Sequence, residues 1–185
     1  MKFRPTPEES EWTIEKREVV KETKWNRYVH DSGKTVYGKD FDYFYLQIQG
    51  SATVIGLSDG KLILVKQYRY PTAKWSLELP GGGINDGDTA EQTAKQELLQ
   101  ETGYEPKSLM KLGELDVMNG YSSDIATVYF APECIKVADQ QLEETEQGTT
   151  VELIPVEEVF EMVQEGKVTD AFTLAALMLA FPHIL

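Results

Sequence analysis

Apolar runs at residues 43–48, 52–57 and 61–68 dominate the first half of the chain. They are rich in Val, Ile, Leu and Tyr and bounded by turn formers, a pattern that predicts strands. The last two flank Ser58-Asp59-Gly60, and an Asp-Gly step between apolar runs predicts a hairpin. Upstream, residues 12–19 and 35–37 alternate between charged and apolar positions and predict more exposed strands. Asp31-Ser32-Gly33-Lys34 reads as the turn signal between them.

The period then changes from two to that of a helix. Residues 88–102 predict the strongest helix, with Asp88 and Glu91 at the spacing of a capping box and Gly103 as the C-terminal stop. Residues 126–130 and 150–154 predict further strands, with the acidic stretch Glu143-Glu144-Thr145-Glu146-Gln147-Gly148 as a loop before the second. Pro155 opens a helix to about Gln164, which Gly166 ends, and Thr169 or Asp170 caps a last helix through Ala180. Strands, a central helix, more strands and closing helices predict a mixed α/β sandwich, not a regular βαβ series.

Length and composition narrow this picture. A chain of 185 residues with 41% hydrophobic content suits one domain with at most a small appended subdomain. Its 31 acidic and 18 basic residues leave a net charge of -13, which argues against a nucleic-acid backbone binder. An anionic substrate would have to be held by local cations, either a metal or a few arginines. The single Cys134 excludes an internal disulfide framework and is expected to be a buried structural thiol. The first residues lack the apolar core of a signal peptide, and no stretch is long enough to span a membrane. The expectation is a cytoplasmic protein with no membrane partner. His30 and His183 show no partner pattern and are expected to be structural or exposed.

The chemistry concentrates in Gln96-Glu97-Leu98-Leu99-Gln100-Glu101-Thr102-Gly103-Tyr104. Residues three and four apart share a helical face, so Glu97, Gln100 and Glu101 point the same way. Paired carboxylates can hold a divalent cation, which in turn can hold a pyrophosphate; an ordinary solvated helix face is the alternative. The uncharged Gln100 is unusual, because hard cations prefer charged oxygen. Just upstream, Pro80-Gly81-Gly82-Gly83 lets backbone approach a ligand closely.

Residues 82–104 resemble the Nudix box, G-x5-E-x7-R-E-U-x-E-E-x-G-U with U a bulky apolar residue. Gly82, Glu97, Leu98, Glu101, Gly103 and Tyr104 fall on the pattern, while Asp88, Gln96 and Gln100 depart from it. Outside the box, Val65-Lys66-Gln67-Tyr68-Arg69-Tyr70-Pro71 and Trp75-Ser76-Leu77-Glu78-Leu79-Pro80 resemble the lead-in of the ADP-ribose pyrophosphatase branch. The tail at residues 166–177 is similar to that branch's closing helix.

This resemblance implies a Nudix fold, an α/β/α sandwich with a mixed sheet, over residues 49–185, preceded by a small β-subdomain for dimerisation over residues 1–48. It implies Mg²⁺, or Mn²⁺ in its place, held by Glu97, Glu101 and the Gly81 carbonyl. Gln100 stands where a further metal-binding Glu is usual, so a second ion is expected to bind weakly. Asp88 and Gln96 together replace a structural Glu–Arg ion pair, which avoids leaving one charge unpaired. Arg69 is implied as a phosphate clamp. Trp25 falls near a base-stacking aromatic, with a dimer-interface role equally open. Glu144 and Glu146 lie in the loop that carries the water-activating base, and Glu144 is preferred of the two. Asn119 stands where relatives have the Pro of a Pro-Gly turn beside the substrate.

The implied activity is hydrolysis of a nucleoside diphosphate sugar, ADP-ribose by default, to a nucleoside monophosphate and a sugar phosphate, by a homodimer. A nucleotide sensor with weakened turnover and a hydrolase of GDP-mannose-like sugars are the alternatives.

Overall fold

The structure is a computed structural model that describes residues 11–184; the first ten residues of the expected N-terminal subdomain lie outside these. Strands β1 (Thr13–Glu22), β2 (Arg27–Lys34) and β3 (Asp40–Gln47) form a three-stranded antiparallel sheet in that order. The expected turn at residues 31–34 is in fact the end of β2, and the chain reverses at Thr35–Lys39 around Gly38, with φ 70°. Long-range contacts hold these residues in the strand. Asp31 is buried against Arg17 of β1, which grips both carboxylate oxygens at 2.6 Å. Gly33 crosses β1 so closely that a Cβ there would collide with the Thr13 carbonyl oxygen. Val36 and Tyr37, expected in a strand, sit exposed at the hairpin tip.

Strands β4 (Ser51–Ser58) and β5 (Lys61–Arg69) form the hairpin expected from Asp59-Gly60, both of which adopt positive φ, 50° and 74°. Their direct pairing covers only Gly56–Ser58 with Lys61–Ile63. Beyond it the two strands diverge, and two short strands fill the opening. β6 (Lys74–Glu78) pairs with β5, and β7 (Gly81–Gly83) pairs with β4. Neither was visible as an apolar run.

Next come α1 (Ala90–Thr102), β8 (Tyr104–Pro106), β9 (Met110–Asp116), β10 (Ile125–Ala131) and β11 (Cys134–Lys136). The chain closes with β12 (Thr150–Pro155), α2 (Val156–Gln164) and α3 (Ala171–Ile184). The main sheet runs β12-β5-β4-β10-β9 with β6 and β7 attached, and it is mixed because β10 runs parallel to β4. Its inner strands β4, β5 and β10 are buried on both faces, which explains their continuous apolar runs. Ala52, Val54, Ile63 and Tyr129 face Ala94 and Leu98 of α1, whereas Ile55, Leu62, Leu64 and Phe130 pack with Val159 of α2 and Ala176 and Leu177 of α3. The result is an α/β/α sandwich, as expected.

The α1 cap sits one residue later than the sequence predicts. Asp88 closes a turn onto the Asn85 carbonyl after Gly87 at φ 92°, so Thr89 becomes the cap. The Thr89 hydroxyl accepts from the Gln92 backbone N–H at 3.2 Å, and the Gln92 amide oxygen accepts from the Thr89 N–H at 2.8 Å. Gly103 ends the helix in the left-handed conformation, as predicted. Asp170 caps α3 through the Thr173 N–H, and that helix continues past Ala180 to Ile184. Cys134 is buried, and burial pushes its thiol up to about 11. His30 does have partners: it lies 2.8 Å from Asp42 and stacks on Phe44. Among the described residues no helix is long and apolar enough to cross a membrane.

Candidate active site

The divergence of β4 and β5 opens a cleft of about 550 Å³. Ser51, Ala52 and Thr53 of β4 line it with Gln67 and Arg69 of β5, Glu78 of β6 and all three glycines of β7. Pro80 fixes the crossing between the short strands. Its carbonyl accepts from the Thr53 hydroxyl at 2.8 Å and from the Val54 N–H at 3.1 Å.

Helix α1 brings its carboxylates to this glycine strand. Glu101 is buried, only 4% exposed, and one of its oxygens accepts from the Gly81 N–H at 2.8 Å. One turn earlier, Glu97 lies over Gly82, whose missing Cβ would stand 2.6 Å from the Glu97 Cδ. Burial pushes the Glu97 carboxyl up to about 7, with the charges of Glu146 and Glu143 adding to the effect. Burial likewise pushes Glu101 up to about 8, opposed by the Gly81 hydrogen bond and reinforced by Glu97 and Glu146.

The cleft is strongly acidic. Glu78, Glu101, Asp124, Glu146 and Asp170 line it, and Arg69 is the only cationic side chain among the described lining residues. Five carboxylates around one guanidinium, which is itself paired with Glu78, leave an excess of negative charge, and a hard cation fits that excess, the oxygen donors and the space above Gly82. Among the described residues, no three His, Cys, Asp or Glu side chains are grouped tightly enough to hold a metal alone. A small cation held by Glu97 and Glu101 would therefore complete its shell with backbone, water or phosphate oxygens, the usual manner for Mg²⁺.

The other residues singled out in the sequence fall into two groups. Trp25, at 57% exposure in the turn between β1 and β2, lines the cleft rim, as does Arg69. Glu146 reaches the cleft from a short 3₁₀ turn, Glu144–Glu146, with a carboxylate oxygen accepting from the Glu143 N–H at 2.9 Å. Glu144, preferred from sequence, is exposed and is absent from the cleft lining. Gln100 is also exposed and outside the lining, and its backbone carbonyl accepts from the Gln141 N–H at 2.7 Å; Glu97 is not a lining residue either, but it is half-buried against Gly82, which is. Asn119 belongs to a loop that pairs with the end of β3 through Leu46, Tyr121 and Ser123.

Sequence reasoning missed Glu78 and Asp124. Asp124, immediately before β10, accepts from the Ser51 hydroxyl of β4 at 3.2 Å. Glu78 carried a signal: a carboxylate between Leu77 and Leu79 has no place in a buried strand without a partner. That partner is Arg69, whose Nε donates at 2.9 Å to one Glu78 oxygen while Nη2 donates to the other.

A family model described as NUDIX domain matches residues 47–174. The chain is 29% identical over 168 residues to an ADP-ribose pyrophosphatase of Bacillus subtilis (strain 168), covering 90% of each chain. It is 32% identical over 136 residues to a GDP-mannose pyrophosphatase of Yersinia enterocolitica, covering 68% of this chain and 69% of that one. A crystal structure of an ADP compounds hydrolase superposes with a TM-score of 0.81 over 96% of each chain, at 18% identity, and so speaks to the fold.

Proposed function

The chain belongs to the NUDIX family of hydrolases, and on that premise we propose that it hydrolyses the pyrophosphate of a nucleoside diphosphate sugar, ADP-ribose first among them. The products are a nucleoside monophosphate and a sugar phosphate. One observation carries the reading: two neighbouring carboxylates, Glu97 and Glu101, are held against the glycine strand of an acidic cleft that offers a single guanidinium among the described lining residues. Such a cleft repels a pyrophosphate unless cations accompany it.

In this reading Glu97 and Glu101 hold Mg²⁺, with Mn²⁺ able to substitute, and the Gly81 carbonyl assists. When bound, the cation supplies charge neutralisation and polarisation of phosphoryl oxygens. Arg69 orients the pyrophosphate through the N–H groups that Glu78 leaves open. Glu146 takes the proton of the attacking water; the cleft position of this residue supports that role over Glu144. Trp25 at the rim supplies a face for the base. Gln100 contributes at most an uncharged ligand, which supports one tightly held ion. The exposed Val19, Val20 and Phe44 of the N-terminal sheet support assembly as a homodimer.

Similarity to a GDP-mannose pyrophosphatase supports a second substrate, GDP-mannose, for the same site. A panel of nucleotide sugars with Mg²⁺ and Mn²⁺ tests both. Release of a mononucleotide is expected, with ADP-ribose turned over fastest. Tight nucleotide binding with no turnover at millimolar metal would instead identify a sensor.

A further inference from the structure

We propose that Glu78 is the positioning residue for Arg69, holding its guanidinium in the one orientation that serves the pyrophosphate. The inference rests on the hydrolase reading above and adds to it a residue which that reading does not need for metal, base or substrate contact.

Arg69 is the last residue of β5, at the point where the strand leaves the sheet. Its side chain is half exposed, and an unrestrained arginine there would sample several rotamers. Glu78 prevents this. Its side chain is only 8% exposed, on the neighbouring β6, and its own place is set by Gln67, whose amide donates to Glu78 Oε2 at 3.2 Å. The Arg69 Nε bridges both carboxylate oxygens, at 2.9 and 3.2 Å, and Nη2 binds Oε2. A guanidinium has five N–H donors, so this two-point grip leaves Nη1 free of Glu78. Only a carboxylate presents two acceptors to that fork; an amide presents one.

The charges separate positioning from binding. Paired with Glu78, Arg69 carries little net charge of its own, so it attracts a distant anion weakly. Removing the Glu78 charge bares the guanidinium. Raw affinity for an anion is then kept or raised, while the alignment needed for turnover is lost. Generic structural damage would lower both.

The test combines Glu78→Ala, Glu78→Gln, Arg69→Ala and the double variant Arg69→Ala/Glu78→Ala. Inorganic pyrophosphate binding is measured by calorimetry and turnover of ADP-ribose by release of mononucleotide, both with Mg²⁺. For Glu78→Ala, kcat is expected to fall about tenfold or more, as misalignment near 1 Å can cost on that order. Pyrophosphate is expected to bind it no more weakly than wild type. Glu78→Gln, which keeps the shape and one acceptor, is expected to lie between the two and to fold even if Glu78→Ala does not. The double variant is expected to be no slower than Arg69→Ala. Unchanged kcat in Glu78→Ala, or an equal further loss in the Arg69→Ala background, would overturn the proposal. If wild type hydrolyses no nucleotide sugar, the functional reading fails; the binding arm still decides this inference, which falls if Glu78→Gln weakens pyrophosphate as much as Arg69→Ala does.

Discussion

Gly82 and Glu97 claim the same space: a Cβ on Gly82 would overlap the Glu97 carboxylate, coming within 2.6 Å of its Cδ and 3.0 Å of Oε2. The neighbouring Gly81 is needed for a different reason. A Cβ there would meet backbone, 2.5 Å from the Ala52 carbonyl oxygen and 2.9 Å from the Thr53 Cα. Two adjacent glycines therefore serve two purposes, one for a carboxylate and one for strand pairing.

Gly82→Ala and Gly81→Ala are expected to fail in different ways. In Gly82→Ala the flexible end of Glu97 moves aside, so thermal stability changes little while turnover falls on the order of tenfold to a hundredfold. In Gly81→Ala the β4–β7 pairing must shift, so the protein is destabilised, on the order of 1–3 kcal/mol. Calorimetric melting alongside turnover distinguishes the two. Equal melting losses in both would contradict the assignment of Gly82 to Glu97.

Without metal, stability is expected to fall as pH rises from about 4.5 to about 8. Glu97 and Glu101 have carboxyls raised from 4.5 to about 7 and about 8 in the folded chain. In that window the folded state holds protons that the unfolded state has released, so raising the pH favours unfolding. A bound divalent cation compensates the charges, so Mg²⁺ should raise the melting temperature more at pH 8 than at pH 5.5. Glu101→Gln should flatten the metal-free pH dependence, keep the fold and abolish turnover. Melting curves against pH, with and without Mg²⁺, check this; a Glu101→Gln variant with full activity would remove Glu101 from the metal site.

Glu146→Gln is expected to lower kcat on the order of a hundredfold, the usual range for losing a general base. Glu144→Gln should leave it near wild type. The reverse ranking in a steady-state assay would restore Glu144 as the base and imply that the loop rearranges around substrate.

Much of this was legible in advance, and the unread part has a pattern. The periods of β4, β5 and α1, the Asp59-Gly60 hairpin and the Gly103 stop are local regularities, visible because a strand or helix repeats over a few residues. The box spacing from Gly82 to Tyr104 is local in the same sense. Local pattern and structure part where a distant segment outweighs local preference. Residues 31–34 look like a turn but are held in β2 by Arg17 and by close approach to Thr13. Asp88 looks like a cap, but the turn at Asn85 passes that role to Thr89.

By itself the sequence determined the layered fold, the helical face that carries Glu97 and Glu101, and the glycines placed to meet them. Only the tertiary structure decided which loop glutamate reaches the cleft, that Gln100 lies outside it, and that Glu78 grips Arg69. The physical reason is the range of the interactions. A helix face is set by residues four apart, whereas a cleft is set by strands that meet across tens of residues and leave no period in the chain.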